Sequence, residues 1–143
     1  MKITLSLFIS FMAIYATASY AQSKDELAIR DILSGQVTTW NNGDLQSFMR
    51  GYWQNDSLKF IGKSGITYGW KQTLENYKKN YPDTLAMGKL DFDLIEVKQL
   101  SALYFFVVGK WQLTRSIGNL KGHFTLLFKK ISNKWVIVAD HSS

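Results

Sequence analysis

The chain has 143 residues, a formal net charge of +6 and no cysteine. The absent thiols exclude disulfides, thiolate metal sites and a lipidated cysteine anchor. Beyond Lys2, the basic residues are scattered from Lys24 to Lys134, with no arginine-rich block and no aromatic–basic sheet motif. That argues against a nucleic-acid partner and for a solvated basic surface, or one attracted to an anionic envelope.

The first residues have the pattern of an export signal. Lys2 gives a positive start, "ITLSLFISFMAIYA" a short apolar stretch, and "SYA" small residues before Gln22. The apolar run is shorter than the ~20 residues of a membrane-spanning helix. The pattern predicts a signal peptide over 1–21, cleaved after Ala21, and a single domain over 22–143. The mature protein is then periplasmic or secreted, with no stable membrane anchor.

Ser23 and Glu26 have capping-box spacing. Ile29, Leu33 and Trp40 recur near a helical period, with Ile32 and Val37 widening the stripe, which predicts a helix over 24–40. "NNGD" ends it, and Asp44 caps a short second helix, "LQSFMRGYW", whose apolar stripe is Leu45, Phe48, Met49 and Tyr52. "SLKFIG" and "ITYG" read as short strands around the turn "KSG". Trp70, Leu74, Tyr77 and Tyr81 fall on one face of a third helix that Pro82 stops. Four strands follow: "KLDFDLIEV", "ALYFFVVGKWQLTR", "LKGHFTLLFKK" and "KWVIVADHS", with "SIGN" and "SN" as turns. Helices first and a meander afterwards predict an α+β fold, with helices packed on one face of a curved antiparallel sheet.

Alternation along the strands assigns their faces. A four-residue "SIGN" loop puts Trp111 opposite Phe124, and a two-residue "SN" loop puts Phe124 opposite His141. The inner face then carries Gly109, Trp111, Leu113, Phe124, Leu126, Phe128, Trp135, Ile137 and His141. The outer face carries Lys110, Gln112, Thr114, His123, Thr125, Lys129, Asp140 and Ser142. A bulge of one residue would exchange part of the two sets. The run Asp140–His141–Ser142 is therefore no hydrolase triad, because neighbours on one strand point opposite ways.

In this register His141 points inward, either as a hydrogen-bonded core histidine or as a ligand or proton-transfer group. Arg115 reaches the inner face at the open end, as an anion contact or as a rim residue paired locally. Trp40, Tyr52, Tyr77, Tyr81 and Trp70 come from the helices as core or as pocket wall; buried tyrosine hydroxyls need partners, and a small polar-lined pocket supplies them. Two histidines on opposite faces do not make a metal site, so neither a metal nor a cofactor is expected.

Taken in order, "WNNGDLQSFMRGYW", "FIGKSGITYGW", "YKKNYPD", "MGKLDF", "GKWQLTR", "GHFTLLFKK" and "WVIVADHSS" resemble the SnoaL-like members of the nuclear transport factor 2-like superfamily. More narrowly, the chain resembles their small exported domains of unknown function. The last strand is also similar to that of the association domain of calcium/calmodulin-dependent protein kinase II, with Trp135, His141 and Ser142 matching. The resemblance implies a cone: a curved sheet wrapped around a long N-terminal helix, open at one end as a pocket, and a homodimer often formed through the outer sheet face. Relatives include steroid Δ-isomerases, scytalone dehydratase and polyketide cyclases, which use pocket carboxylates, tyrosines or histidines as acids and bases. The chain departs from them in having no inward acid on its long strands, since Asp91 and Asp93 share the face opposite Leu90, Phe92 and Leu94. The leading expectation is a domain that binds a small organic molecule, anionic ones included, through Trp40, Tyr52, Tyr77, Tyr81, Trp111 and Arg115. Two others stand beside it: an isomerase, cyclase or dehydratase with His141 as catalytic acid or base, and a non-catalytic dimerisation or interaction domain. The sequence does not decide between enzyme and binder.

Overall fold

The computed structural model describes residues 23–143. The expected signal peptide over 1–21 lies outside the described residues. Helix α1 (Lys24–Asn41) starts where the Ser23 hydroxyl accepts from the Glu26 N–H at 3.1 Å. Glu26 does not complete a capping box; its carboxylate takes the Arg30 guanidinium at 2.8 Å. Ile29, Leu33, Gln36 and Trp40 form its buried stripe. Each fully buried aliphatic side chain of that stripe contributes roughly 1.5–3 kcal/mol.

Helix α2 (Leu45–Phe48) passes into a 3-10 turn over Met49–Gly51, and the chain is extended by Tyr52. The second helix is thus shorter than its apolar stripe implies. Tertiary contacts override the pattern: Tyr52 bridges to Ile137, and the Trp53 N–H donates to the Ile137 carbonyl at 2.9 Å. Strands β1 (Lys59–Gly62) and β2 (Gly65–Tyr68) form a hairpin, and α3 (Trp70–Asn80) stops two residues before Pro82. A four-residue helix, α4 (Thr84–Met87), follows under an Asp83 cap whose carboxylate accepts from the Ala86 N–H at 2.7 Å.

Strands β3 (Lys89–Ser101), β4 (Tyr104–Thr114), β5 (Leu120–Ile131) and β6 (Lys134–Ser142) complete an open, curved six-stranded sheet in the order β2-β1-β6-β5-β4-β3. The meander is antiparallel, and β1 joins β6 in parallel. Ser132 and Asn133, both at positive φ, make the two-residue β5–β6 turn. The β4–β5 loop is Arg115–Asn119, so Trp111 faces Gly122 and Phe124 faces Gly109. That is a slip of two positions from the expected pairing. It preserves every side-chain face on β4 and β5, because the period is two.

The helices pack on the inner face, where Phe105, Val107, Leu113, Phe124, Leu126, Phe128, Trp135 and Ile137 are buried. Gly109 lies under the Phe124 ring; a Cβ there would meet the ring at 2.4 Å. The glycine makes room for an aromatic that faces the interior. Asp91 and Asp93 are exposed, and Asp93 meets Lys110 at 3.4 Å.

Candidate functional site

The expected alternation fails near the end of β6. Phe128 pairs with Ile137, but Leu127 pairs with Ala139, so Val138 is an extra residue on this strand. The bulge inverts every side chain after it. Asp140 and Ser142 turn inward, and His141 turns outward and is exposed. This corrects the inward placement of His141 and the outward placement of Asp140 and Ser142. It also removes His141 from any chemistry inside the fold, and it supplies the inward acid that unbroken alternation lacks.

Asp140 is 3% exposed. Its Oδ2 accepts from the Tyr52 hydroxyl at 2.7 Å and its Oδ1 from the Ser142 hydroxyl at 2.7 Å. Tyr52 is fixed by the local structure before it: Trp70 Nε1 donates to the Met49 carbonyl at 2.8 Å, and Gln36 Nε2 to the Phe48 carbonyl at 3.2 Å. These two bonds pin the 3-10 turn from either side, and the Tyr52–Ile137 bridge then aims the phenol along β6 toward Asp140. Tyr77 enters from α3, held edge-on by Phe48 and Phe60 at centroid distances of 5.4 and 5.7 Å.

Electrostatics follow from this placement. Burial raises Asp140 to about 6, against the two hydroxyl bonds and the more distant His141, which pull it down. Burial and the Asp140 charge hold Tyr52 and Tyr77 far above the ordinary tyrosine range. Both phenols are therefore donors at any physiological pH, and Asp140 is the group that titrates.

The cluster opens on a cavity of about 490 Å³. Its walls are largely aromatic and aliphatic: Trp40, Phe48, Phe60, Phe92, Phe124 and Leu126 among them. Trp40, Tyr52, Tyr77, Tyr81 and Trp111 line it, and Asp140 is the only acidic side chain that does so among the described residues. Arg115 does not line it. Its Nε donates to the Gly118 carbonyl at 2.7 Å and its Nη1 to the Ala86 carbonyl at 3.1 Å, so the guanidinium fastens two loops together. Its expected anion contact in the cavity is corrected accordingly. Sequence reading also missed Gln36, Lys63 and Lys121, which line the cavity from α1, the β1–β2 turn and the start of β5. Among the described residues no three His, Asp or Glu side chains converge as metal ligands would.

The chain is 46% identical to an NTF2-like protein of unknown function from Shewanella oneidensis MR-1, whose solved structure matches 83% of this chain and 97% of that one with a TM-score of 0.78. It belongs to the nuclear transport factor 2-like family. Two further solved structures share the fold at low identity. A ketosteroid isomerase-like protein from Erwinia carotovora atroseptica SCRI1043 is 17% identical, with 85% of this chain and 97% of that one covered and a TM-score of 0.66. An NTF2-like superfamily protein from Salmonella enterica serovar Typhimurium LT2 is 19% identical, with 82% and 89% covered and a TM-score of 0.64. No family model matches the chain, and no curated protein matches it.

Proposed function

We propose that the cavity takes a small organic molecule and that Asp140 exchanges a proton with it, in a reaction of the isomerase, cyclase or dehydratase type. One observation carries this reading. A carboxyl group with a pKa of about 6 stands as the only acidic side chain, among the described residues, on the wall of a largely aromatic and aliphatic cavity. Near neutral pH such a group populates both protonation states, which is what a general base that must return its proton needs. Tyr52 and Ser142 orient the carboxylate, and Tyr77 stands beside it as a phenol donor toward a substrate oxygen. The acid–base role expected of His141 passes to Asp140.

The test is deuterium wash-in, followed by NMR, at the carbon next to the carbonyl of cyclic and unsaturated ketones incubated with the protein in deuterated buffer. Exchange should be accelerated, rise with pH through about 6 as Asp140 ionises, and fall at least ~100-fold in Asp140→Asn. His141→Ala should leave it unchanged. Exchange that survives Asp140→Asn would remove Asp140 from the chemistry. Binding-only use of the same cavity has one observation in its favour: both Asp140 oxygens already accept a hydrogen bond. It predicts ketone binding without wash-in.

Two features complete the proposal. Export is supported by the signal-like pattern over 1–21, and a homodimer by the outer sheet face, where Phe106, Val108, Leu127 and Val136 are only half-buried within one chain.

A further inference from the structure

One polar residue interrupts the buried stripe of α1. Ile29, Leu33 and Trp40 are apolar, and Gln36 among them is only 3% exposed. What fixes its amide lies in the next helix. In a continued α-helix the Phe48 carbonyl would accept from the Tyr52 N–H. That N–H donates instead to the Met49 carbonyl at 3.1 Å, because the chain tightens into the 3-10 turn. Gln36 Nε2 donates to the Phe48 carbonyl in its place, at 3.2 Å. Gly51 leaves room for this: a Cβ there would meet Gln36 Nε2 at 2.9 Å and Cδ at 3.0 Å. A carbonyl accepts only from the NH2 side of an amide, so Gln36 Oε1 is directed away from the turn. It accepts no hydrogen bond among the described residues. It is also not one of the side-chain atoms sealed off without a partner, and the open space that Gln36 lines is the cavity.

Other amide and hydroxyl groups on the wall are spent within the chain. Thr73 Oγ1 donates to the Gly69 carbonyl at 2.8 Å. Asn76 accepts from Gln72 Nε2 at 3.0 Å and donates to Thr67 Oγ1 at 3.2 Å. Gln36 Oε1 is a neutral acceptor, held in place and unused, in a largely aromatic wall. From this we infer that Gln36 selects ligands by a hydrogen-bond donor: the cavity takes a hydroxylated ring compound whose O–H donates to Gln36 Oε1. A ligand that fills the cavity without a donor there strips the amide oxygen of water and returns nothing, which is how a polar group in an apolar site discriminates. Gln36 stands on α1 and Asp140 on β6, so the hydroxyl and the carbon facing Asp140 are separate points of one molecule. Under the reading proposed above, the substrate class is a ring hydroxyketone. The inference rests on the cavity being a ligand site, but not on whether Asp140 does chemistry there.

The experiment compares 7-hydroxy-1-tetralone, 7-methoxy-1-tetralone and 1-tetralone by titration calorimetry at pH 7, where the hydroxyl is neutral. The hydroxyketone should bind at least ~5-fold more tightly than either of the others. In Gln36→Met, which keeps the bulk and removes the acceptor, the three should bind within about 2-fold of one another. Asp140→Asn should retain the preference, since the hydroxyl does not go to that carboxylate. Gln36→Met also gives up the bond to Phe48, so a second measurement uses the wild-type protein alone. The assigned Gln36 side-chain amide nitrogen should move downfield in NMR with the hydroxyketone, because an acceptor bond at Oε1 polarises the amide, and stay in place with the other two. Equal binding of the three ketones, an unmoved Gln36 amide, or a preference that disappears in Asp140→Asn overturns the inference while leaving the cavity as a ligand site. Binding of none of the three overturns the cavity reading and the inference with it.

Discussion

Asp140 combines a cost and a use in one side chain. Its folded pKa of about 6 lies above its ordinary value of 3.8 because burial disfavours the charged form. Between those two values the folded protein holds the proton more firmly than the unfolded chain. Its contribution is therefore favourable at low pH, declines as pH rises through that window, and levels off above about 6. The shift corresponds to roughly 2–3 kcal/mol of lost stability at neutral pH. Asp140→Asn mimics the protonated form, so urea denaturation should find the variant more stable than wild type at pH 8 by about 2 kcal/mol, with the gap closing toward pH 4. A variant that is less stable at pH 8 would mean that the ionised carboxylate is well solvated after all. Asp25 and Asp44 behave oppositely. Hydrogen bonds from Trp135 and Lys130 hold Asp25 below its ordinary pKa, and the bonds from Ser47 do the same for Asp44. Both groups lose stability as pH falls in either protein, so they cancel from the comparison.

At the scale of elements, the site depends on irregularities. The helices and strands themselves are legible: the Ile29–Leu33–Trp40 spacing, the Trp70–Leu74–Tyr77 spacing and the alternation of Phe105, Val107 and Leu113 each state one period. The Val138 bulge is not legible. "VIVAD" has no glycine, proline or turn residue to mark an extra position, and the residues on either side are equally apolar. Parity alone decides whether Asp140 or His141 faces inward, and a single inserted residue changes it. Helix α4 is too short to show a period, although its Asp83 cap is visible in retrospect. The α4–β3 junction yields a prediction. Gly88 has φ +62° and ψ −152°, and a Cβ would meet Arg115 Cγ at 2.3 Å and the Thr114 carbonyl at 2.5 Å. Gly88→Ala should cost at least ~2 kcal/mol in urea denaturation, from backbone strain and displacement of the Arg115 clamp. A change under ~0.5 kcal/mol would show that the loop relaxes freely.

Across the whole molecule, the two faces of one sheet divide the work. The inner face, closed by α1, α2 and α3, holds the cavity. The outer face, which no helix covers among the described residues, presents Phe106, Val108, Leu127 and Val136 among Lys110, His123 and Lys129. An apolar stripe of this kind on a half-covered sheet suits a second copy of the chain. Native mass spectrometry should find a dimer, with each chain beginning at Gln22 when the protein is taken from its own envelope fraction. Val108→Lys, which places like charges across the symmetric interface, should shift it to monomer without affecting the inner cavity. A dimer that withstands this substitution would place the interface elsewhere.

The central claim is that the bulge at Val138 delivers a carboxyl group, poised to change its protonation state near neutral pH, to the wall of the cavity. Carbon-13 NMR of the aspartate carboxyls, titrated from pH 3 to 8 in wild type and in Asp140→Asn, tests it directly. One resonance with a midpoint near 6, absent from the variant, is the predicted result. If every aspartate titrates below about 4.5, Asp140 is an ordinary solvated carboxylate, and the proton-transfer site does not exist.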